Sequence, residues 1–217
     1  MKQYIKNERG SGVILTIFSF AIVGIMLILV LNIAMVFTKK EQASIAAEHA
    51  SLAATSVVYE KVDYVIQSHV KKVIIGIDEN GVEILEFEPL IEKVTDMESA
   101  ILSANASLSS NEAHIQAVNQ VLLSEIPDDE ELPAKITAAL YSAKSSIPYV
   151  VKHIIEENFG KGTDYEWNFL RDENRIEVIA KTEFNVINHN GLQFGSNSDI
   201  PQKGKGPSIS FVESSGW

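Results

Sequence analysis

From Val13 to Phe37 the chain runs 25 positions without a charged residue. As a helix rising about 1.5 Å per residue, that run is roughly 37 Å long. A hydrocarbon core of about 30 Å is crossed by such a length with some tilt. Thr16, Ser19 and Asn32 are its only clear polar interruptions. A soluble core helix is rarely apolar on every face. A signal-peptide core has only about 7–15 apolar residues before a small-x-small cleavage site; this run is longer and continues into Phe37-Thr38-Lys39-Lys40. The reading is therefore one transmembrane helix over 13–37. Val13, Gly24, Asn32 and Phe37 are the residues expected to mark the span and its packing.

Charge sets the expected orientation. Lys2, Lys6 and Arg9 precede the span against a single acid, Glu8, while Lys39 and Lys40 follow it. The positive-inside rule then favours a cytoplasmic N-terminus and a C-terminal domain outside the cell membrane. With +2 before the span and −11 overall, the chain from Thr38 onward carries −13. So acidic a domain is not expected to bind nucleic acid, which calls for clustered Lys and Arg. Cysteine is absent, so disulfides, thiol nucleophiles and thiolate metal sites are excluded.

Beyond the span, the absence of Pro and Gly between Thr38 and Gly76 predicts one continuous helical stalk over 38–76. Ala43, Ala46, Ala47, Ala50, Ala53 and Ala54 recur at three- and four-residue spacing, a face that would allow close approach of another subunit's backbone. Ile45, Leu52, Tyr59, Ile66 and Val73 fall seven apart, read either as a coiled-coil seam or as ordinary packing against the chain's own helices. Val73–Ile77 and Val82–Phe87 flank Asp78-Glu79-Asn80-Gly81, a hairpin signal, with a loop into the next helix as the alternative. Helices are expected over Leu90–Leu102, from an N-cap at Asn111 through Ser124, and from Pro133 to about Phe159, where Gly160 and Gly162 would stop it. A kink or break is expected near Ser146, because Pro148 follows. The Ile126–Glu131 stretch reads as a solvated acidic linker.

The last third reads as β. Tyr165–Leu170 and Arg175–Ile187 are strand-like, joined at Arg171–Asn174, and Ile176, Val178, Ala180 and Thr182 alternate as a half-buried strand should. Asn188–Gly191 reads as a turn into Leu192–Phe194, Gly195–Pro207 as a loop, and Ser208–Val212 as a closing strand. The expected fold class is α+β: a transmembrane helix continuing into a long stalk, a helical region over 77–163 with a hairpin, and a C-terminal antiparallel β-sheet over 164–217.

The search for chemistry yields no catalytic, cofactor-binding or metal-ligating set. The five histidines do not fall in H-E-x-x-H or a similar spacing, and His153 with Glu157 reads as a solvated pair. Asp78–Gly81 lacks the alternating oxygens and terminal Glu of a calcium loop. No nucleophile elbow or phosphate-cradling glycine loop is present. The expectation is a protein that is not an enzyme and takes no cofactor.

The residues around the membrane boundary resemble the TadE/TadG-like family of the Tad (tight adherence, Flp pilus) assembly machinery. Arg9-Gly10-Ser11 is similar to that family's basic-Gly-Ser opening. At the exit, Asn32-Ile33-Ala34, Phe37, Lys39-Lys40 and the alanine-rich run Ser44–Ala54, with Glu48 inside it and Leu52-Ala53-Ala54 closing it, follow the family pattern without a gap. Asn32 stands where the family usually has Asp, and Ala34 where it has Gly. Prepilin-type cleavage needs Glu five residues after the cleavage-site Gly, and Leu15 and Ile17 occupy those positions, so processing is not expected. The resemblance implies a pilin-like accessory component of a pilus or secretion assembly. Its partners would be the lipid bilayer and other assembly proteins, with self-association as a further option. The alternative is a membrane-tethered binding or sensor module. A sensor would call for an output domain, for which the residues before Val13 offer no room.

Overall fold

The computed structural model describes residues 9–159, 164–171, 173–184, 188–189, 192–193 and 198–217. Helix α1 (Arg9–Ser68) is unbroken for 60 residues, about 90 Å at the standard rise. The expected span is its lower part, where large apolar residues from Val13 to Phe37 stand exposed around the circumference. Asn32 is the exception, only 6% exposed. Thr16 and Thr38 turn their hydroxyls back to the carbonyls of Gly12 and Ala34 (2.8 and 3.1 Å), so neither is left unpaired in an apolar setting.

Above the span the same helix becomes a core element. Ala43, Ala47, Ser51, Thr55, Val58, Val62 and Ile66 are all buried on one side. Their pairs 47/58, 51/62 and 55/66 are eleven apart, close to the 3.6-residue period of a straight helix. The seven-residue series departs from that line. Each heptad drifts about 20° on a straight helix, so Ile45 and Leu52 face outward, at 41% and 45% exposure, while Tyr59 and Ile66 turn in. The series is therefore no continuous seam.

The helix also stops earlier than expected, at Ser68. The next residues are rich in β-branched side chains, and the chain enters strand β1 (Val70–Ile77), paired antiparallel with β2 (Glu83–Pro89). The hairpin reading of Asp78–Gly81 holds. Gly81 adopts φ 81°, and Asp78 accepts hydrogen bonds from the backbone N–H of Asn80 and Val82, both 2.8 Å. Helix α2 (Leu90–Ala104) follows. Helix α3 (Ser110–Glu125) is capped by Ser109 rather than Asn111: the Ser109 hydroxyl accepts from the N–H of Glu112, whose carboxylate accepts from the N–H of Ser109. That reciprocal capping box satisfies two backbone donors at once.

A short 3₁₀ turn (Ile126–Asp128) leads to α4 (Leu132–Phe159), which runs through Pro148 without the expected break. Ile136, Leu140, Ala143, Ile147, Val151 and Ile155 form one buried stripe on both sides of the proline. Packing of both halves against the same core holds the helix continuous across the missing N–H. Gly160 and Gly162 lie outside the described residues.

The C-terminal sheet has the order β3 (Tyr165–Asn168), β4 (Glu177–Phe184), β7 (Ser198–Lys205), all antiparallel; β5 (Asn188–His189) and β6 (Leu192–Gln193) pair as a separate ladder. Asn188 and His189 are thus strand residues rather than turn residues. The stretch 198–205, expected as loop, is instead the strand that pairs the whole of β4. Its Pro201 is admissible because β7 is an edge strand. The expected closing strand at Ser208–Val212 is largely a 3₁₀ helix, Ser210–Ser215, whose Phe211 packs edge-on against Tyr59 at 6.3 Å. Ile176, Val178, Ala180 and Thr182 do form the buried face of the sheet.

Candidate functional site

The small-residue stripe of α1 has its partner within the chain. Ala43, Ala46, Ala47, Ala50 and Ala54 are fully buried, and Ala53 is half-buried. The backbone of β7 lies directly on this row. A Cβ at Gly204 would come within 3.0 Å of the Ala47 carbonyl and the Glu48 nitrogen; one at Gly206 would meet the Thr55 hydroxyl. Small residues on the helix and glycines on the strand together set this close approach. Buried Ser51 and Thr55 satisfy their hydroxyls on their own helix, at the carbonyls of Glu48 and Ser51 (both 2.8 Å). Since Gly206 lies at Thr55 and Gly204 at Ala47, β7 read backward descends along α1 toward the span.

The opposite side of the stalk remains open. Leu52, Ser56, Tyr59, Glu60 and Asp63 of α1, with His114 and Ile115 of α3, line an open groove of about 710 Å³. At its floor three helices are tied together. His114 sits between Glu98 of α2 (Nδ1–Oε2, 3.0 Å) and Asp63 of α1 (Nε2–Oδ1, 3.2 Å). Burial opposes the imidazolium, but Glu98 and Asp63 outweigh it and raise the pKa of His114. Burial likewise pushes Asp63 up, against the pull of His114. Each imidazole nitrogen is engaged by one carboxylate, which makes this an ion-pair bridge. Among the described residues no group of three or more His, Cys, Asp or Glu is arranged to hold a metal ion. Deeper in, Asn119 donates to the Tyr59 hydroxyl (2.8 Å) and accepts from the backbone N–H of Ser210 (2.8 Å), joining α1, α3 and the C-terminal turn. Burial pushes the Tyr59 phenol up to about 12.

A second tie closes the top of the stalk. His69 and Asp129 are both nearly buried and 2.7 Å apart, and Lys135 approaches the other imidazole nitrogen at 3.2 Å. Asp129 also accepts from the backbone N–H of Glu131 and Leu132. Burial opposes its charge, yet His69 and these amides hold its carboxyl below the usual range. The acidic linker is therefore solvated at Asp128, Glu130 and Glu131 only. His153 and Glu157 are an exposed pair at 3.4 Å. The two ties join residues 16 to 60 positions apart, and no local spacing announces them.

Of the residues expected to mark the span, Val13, Gly24 and Phe37 are exposed, and a side chain at Gly24 would meet nothing. No curated protein and no solved structure matches the chain. The sequence model of the Tad family does match, over the apolar helix and the lower stalk. Over residues 10–57 the chain is thus similar to the TadE/G-like, Flp pilus-assembly family.

Proposed function

We propose that this chain is a membrane-anchored, pilin-like accessory component of a Tad/Flp-type pilus or secretion assembly, acting through subunit contacts rather than catalysis. One observation carries the reading: α1 is a single helix whose lower part is apolar on nearly all sides and whose upper part is a core element of the folded domain. The Tad match spans that transition. A rigid helix shared by membrane and domain transmits position from one to the other. Such a chain anchors through 13–37, with its N-terminus cytoplasmic and its folded domain outside. The span would pack laterally against other apolar helices, and the outward side of the stalk around Ile45, Leu52 and Ser56 is available for neighbours, since the alanine side is filled by β7.

The test uses the cysteine-free background. Single cysteines at exposed Ile45, Leu52 and Ser56, with a buried control at Ser51, are crosslinked in intact cells and the captured proteins identified by mass. Capture of a pilin or a secretion-platform protein from the exposed positions supports the proposal. Crosslinks to unrelated proteins only, or to none, would overturn it. An intact mass lacking the first ten or twelve residues would refute the further expectation that the chain escapes prepilin-type cleavage.

A further inference from the structure

The hairpin β1–β2 leaves the body of the protein with one face bare. Strand pairing places Val70, Ile74, Ile77, Leu85 and Phe87 on the same face, and each is 41–68% exposed. The reverse face is held at its base by Lys71 on Glu125 (3.2 Å) and by Glu88 on Lys93 (2.6 Å), while nearer the tip its Ile84 is also exposed. An isolated two-stranded ribbon is marginal in water, and a contiguous apolar patch of this kind marks an interaction surface. The chain's own bilayer is out of reach. The last residue of α1, Ser68, is 31 residues past Phe37, about 47 Å of helix.

The edges of the ribbon are guarded and the face is not. On β1 the register is broken by a bulge between Ile74 and Gly76, next to Lys71 and Lys72. On β2, Glu83, Glu86 and Glu88 would crowd one another in an antiparallel β2–β2 pairing. The face itself carries one charge of each sign, at opposite ends. Lys72 stands near the base across from Phe87, and Glu83 near the tip across from Ile77. Among the described residues neither forms an ion pair, and Lys72 interacts with Glu131 at longer range. Two ribbons stacked with parallel strands would bring Lys72 toward Lys72 and Glu83 toward Glu83. Stacked antiparallel about a two-fold axis near Ile74 and Leu85, each Lys72 meets the end that carries the other copy's Glu83. We propose that the bare face of the hairpin is a self-association surface, occupied by the same face of a second copy with its strands antiparallel. The contact is small, and anchoring in one membrane raises the effective concentration at which it forms. This inference is independent of the pilus reading; either stands if the other fails.

The experiment uses the full chain in its native membrane. Leu85→Cys lies near the two-fold axis and is expected to form a disulfide-linked dimer under mild oxidation, while Glu130→Cys, exposed on the neighbouring loop, stays monomeric. Adding Lys72→Glu or Glu83→Lys to Leu85→Cys breaks both symmetry-related ion pairs and lowers dimer yield by about fivefold, the scale of two exposed pairs; combining both reversals restores it. If Leu85→Cys fails to fold, Ile74→Cys at the paired position gives the same readout. A monomer with both cysteines, disulfides to other proteins only, or a double reversal that does not restore the dimer would each overturn the proposal.

Discussion

Gly204→Ala is the sharpest probe of how the stalk and sheet fit. The new methyl would come within 3.0 Å of the Ala47 carbonyl carbon and oxygen and of the Glu48 nitrogen. These are backbone atoms of a helix, with no rotamer to yield. Restoring ordinary contact requires strand and helix to part by about 1 Å, which separates Val178 and Ala180 from the alanine row. Overpacking of this kind costs about 1–3 kcal/mol. For a domain of this size each kcal/mol lowers Tm by about 2–4 °C, so a fall of about 5 °C is expected. It is measured by thermal unfolding of the detergent-solubilised chain, following Trp167 of β3 in the same sheet. Ala47→Gly should not rescue the variant, because the obstruction is main chain; it adds the roughly 1 kcal/mol of a glycine in a helix. Gly206→Ala differs in kind. Its closest obstacle is the Thr55 hydroxyl, so Thr55→Ala should recover part of the loss. A Gly204→Ala protein with unchanged Tm, or one rescued by Ala47→Gly, would refute the account of this interface.

Other outcomes follow from the two ties and from Asn119. Asp129→Ala should cost about 3 kcal/mol, since it leaves His69 buried without its partner and uncaps two amides, read as a lower denaturation midpoint in urea. The pKa of Asp129 is depressed in the folded chain, so the stability it contributes is present above the ordinary carboxylate value of 3.8 and lost as pH falls through its folded value. His114 has the opposite sign. Its pKa is raised, so its contribution is full below the ordinary 6.5 and is lost as pH rises through the folded value. Stability should decline on that rise, and His114→Gln should flatten this part of the profile. Asn119→Ala should cost about 2 kcal/mol by stranding the Tyr59 hydroxyl and the Ser210 amide, measured by the same urea titration.

What the residues determine by themselves is local or periodic. An uncharged run of 25 residues specifies a helix long enough to cross a bilayer, because no other single segment satisfies its backbone there. Asp78–Gly81 specifies a turn because a glycine in the third or fourth position relieves positive φ and the Asp side chain caps the following amides. The alternation at Ile176–Thr182 specifies a strand with one buried face. Ser109 with Glu112 is equally legible as a capping box, but a polar run offers several caps, and the folded chain selects Ser109 over Asn111. The remainder was decided by contacts distant in sequence. The strand over 198–205 looks like a loop, carrying Pro201, Gly204 and two lysines, and becomes a strand because β4 supplies its hydrogen bonds and α1 accepts Gly204. The alanine row announced close approach but not by what; the sheet that fills it is about 150 residues further on. Which face of the stalk is free, and where its histidines find their carboxylates, follow from that packing, since burial is a property of neighbours and not of the residues themselves.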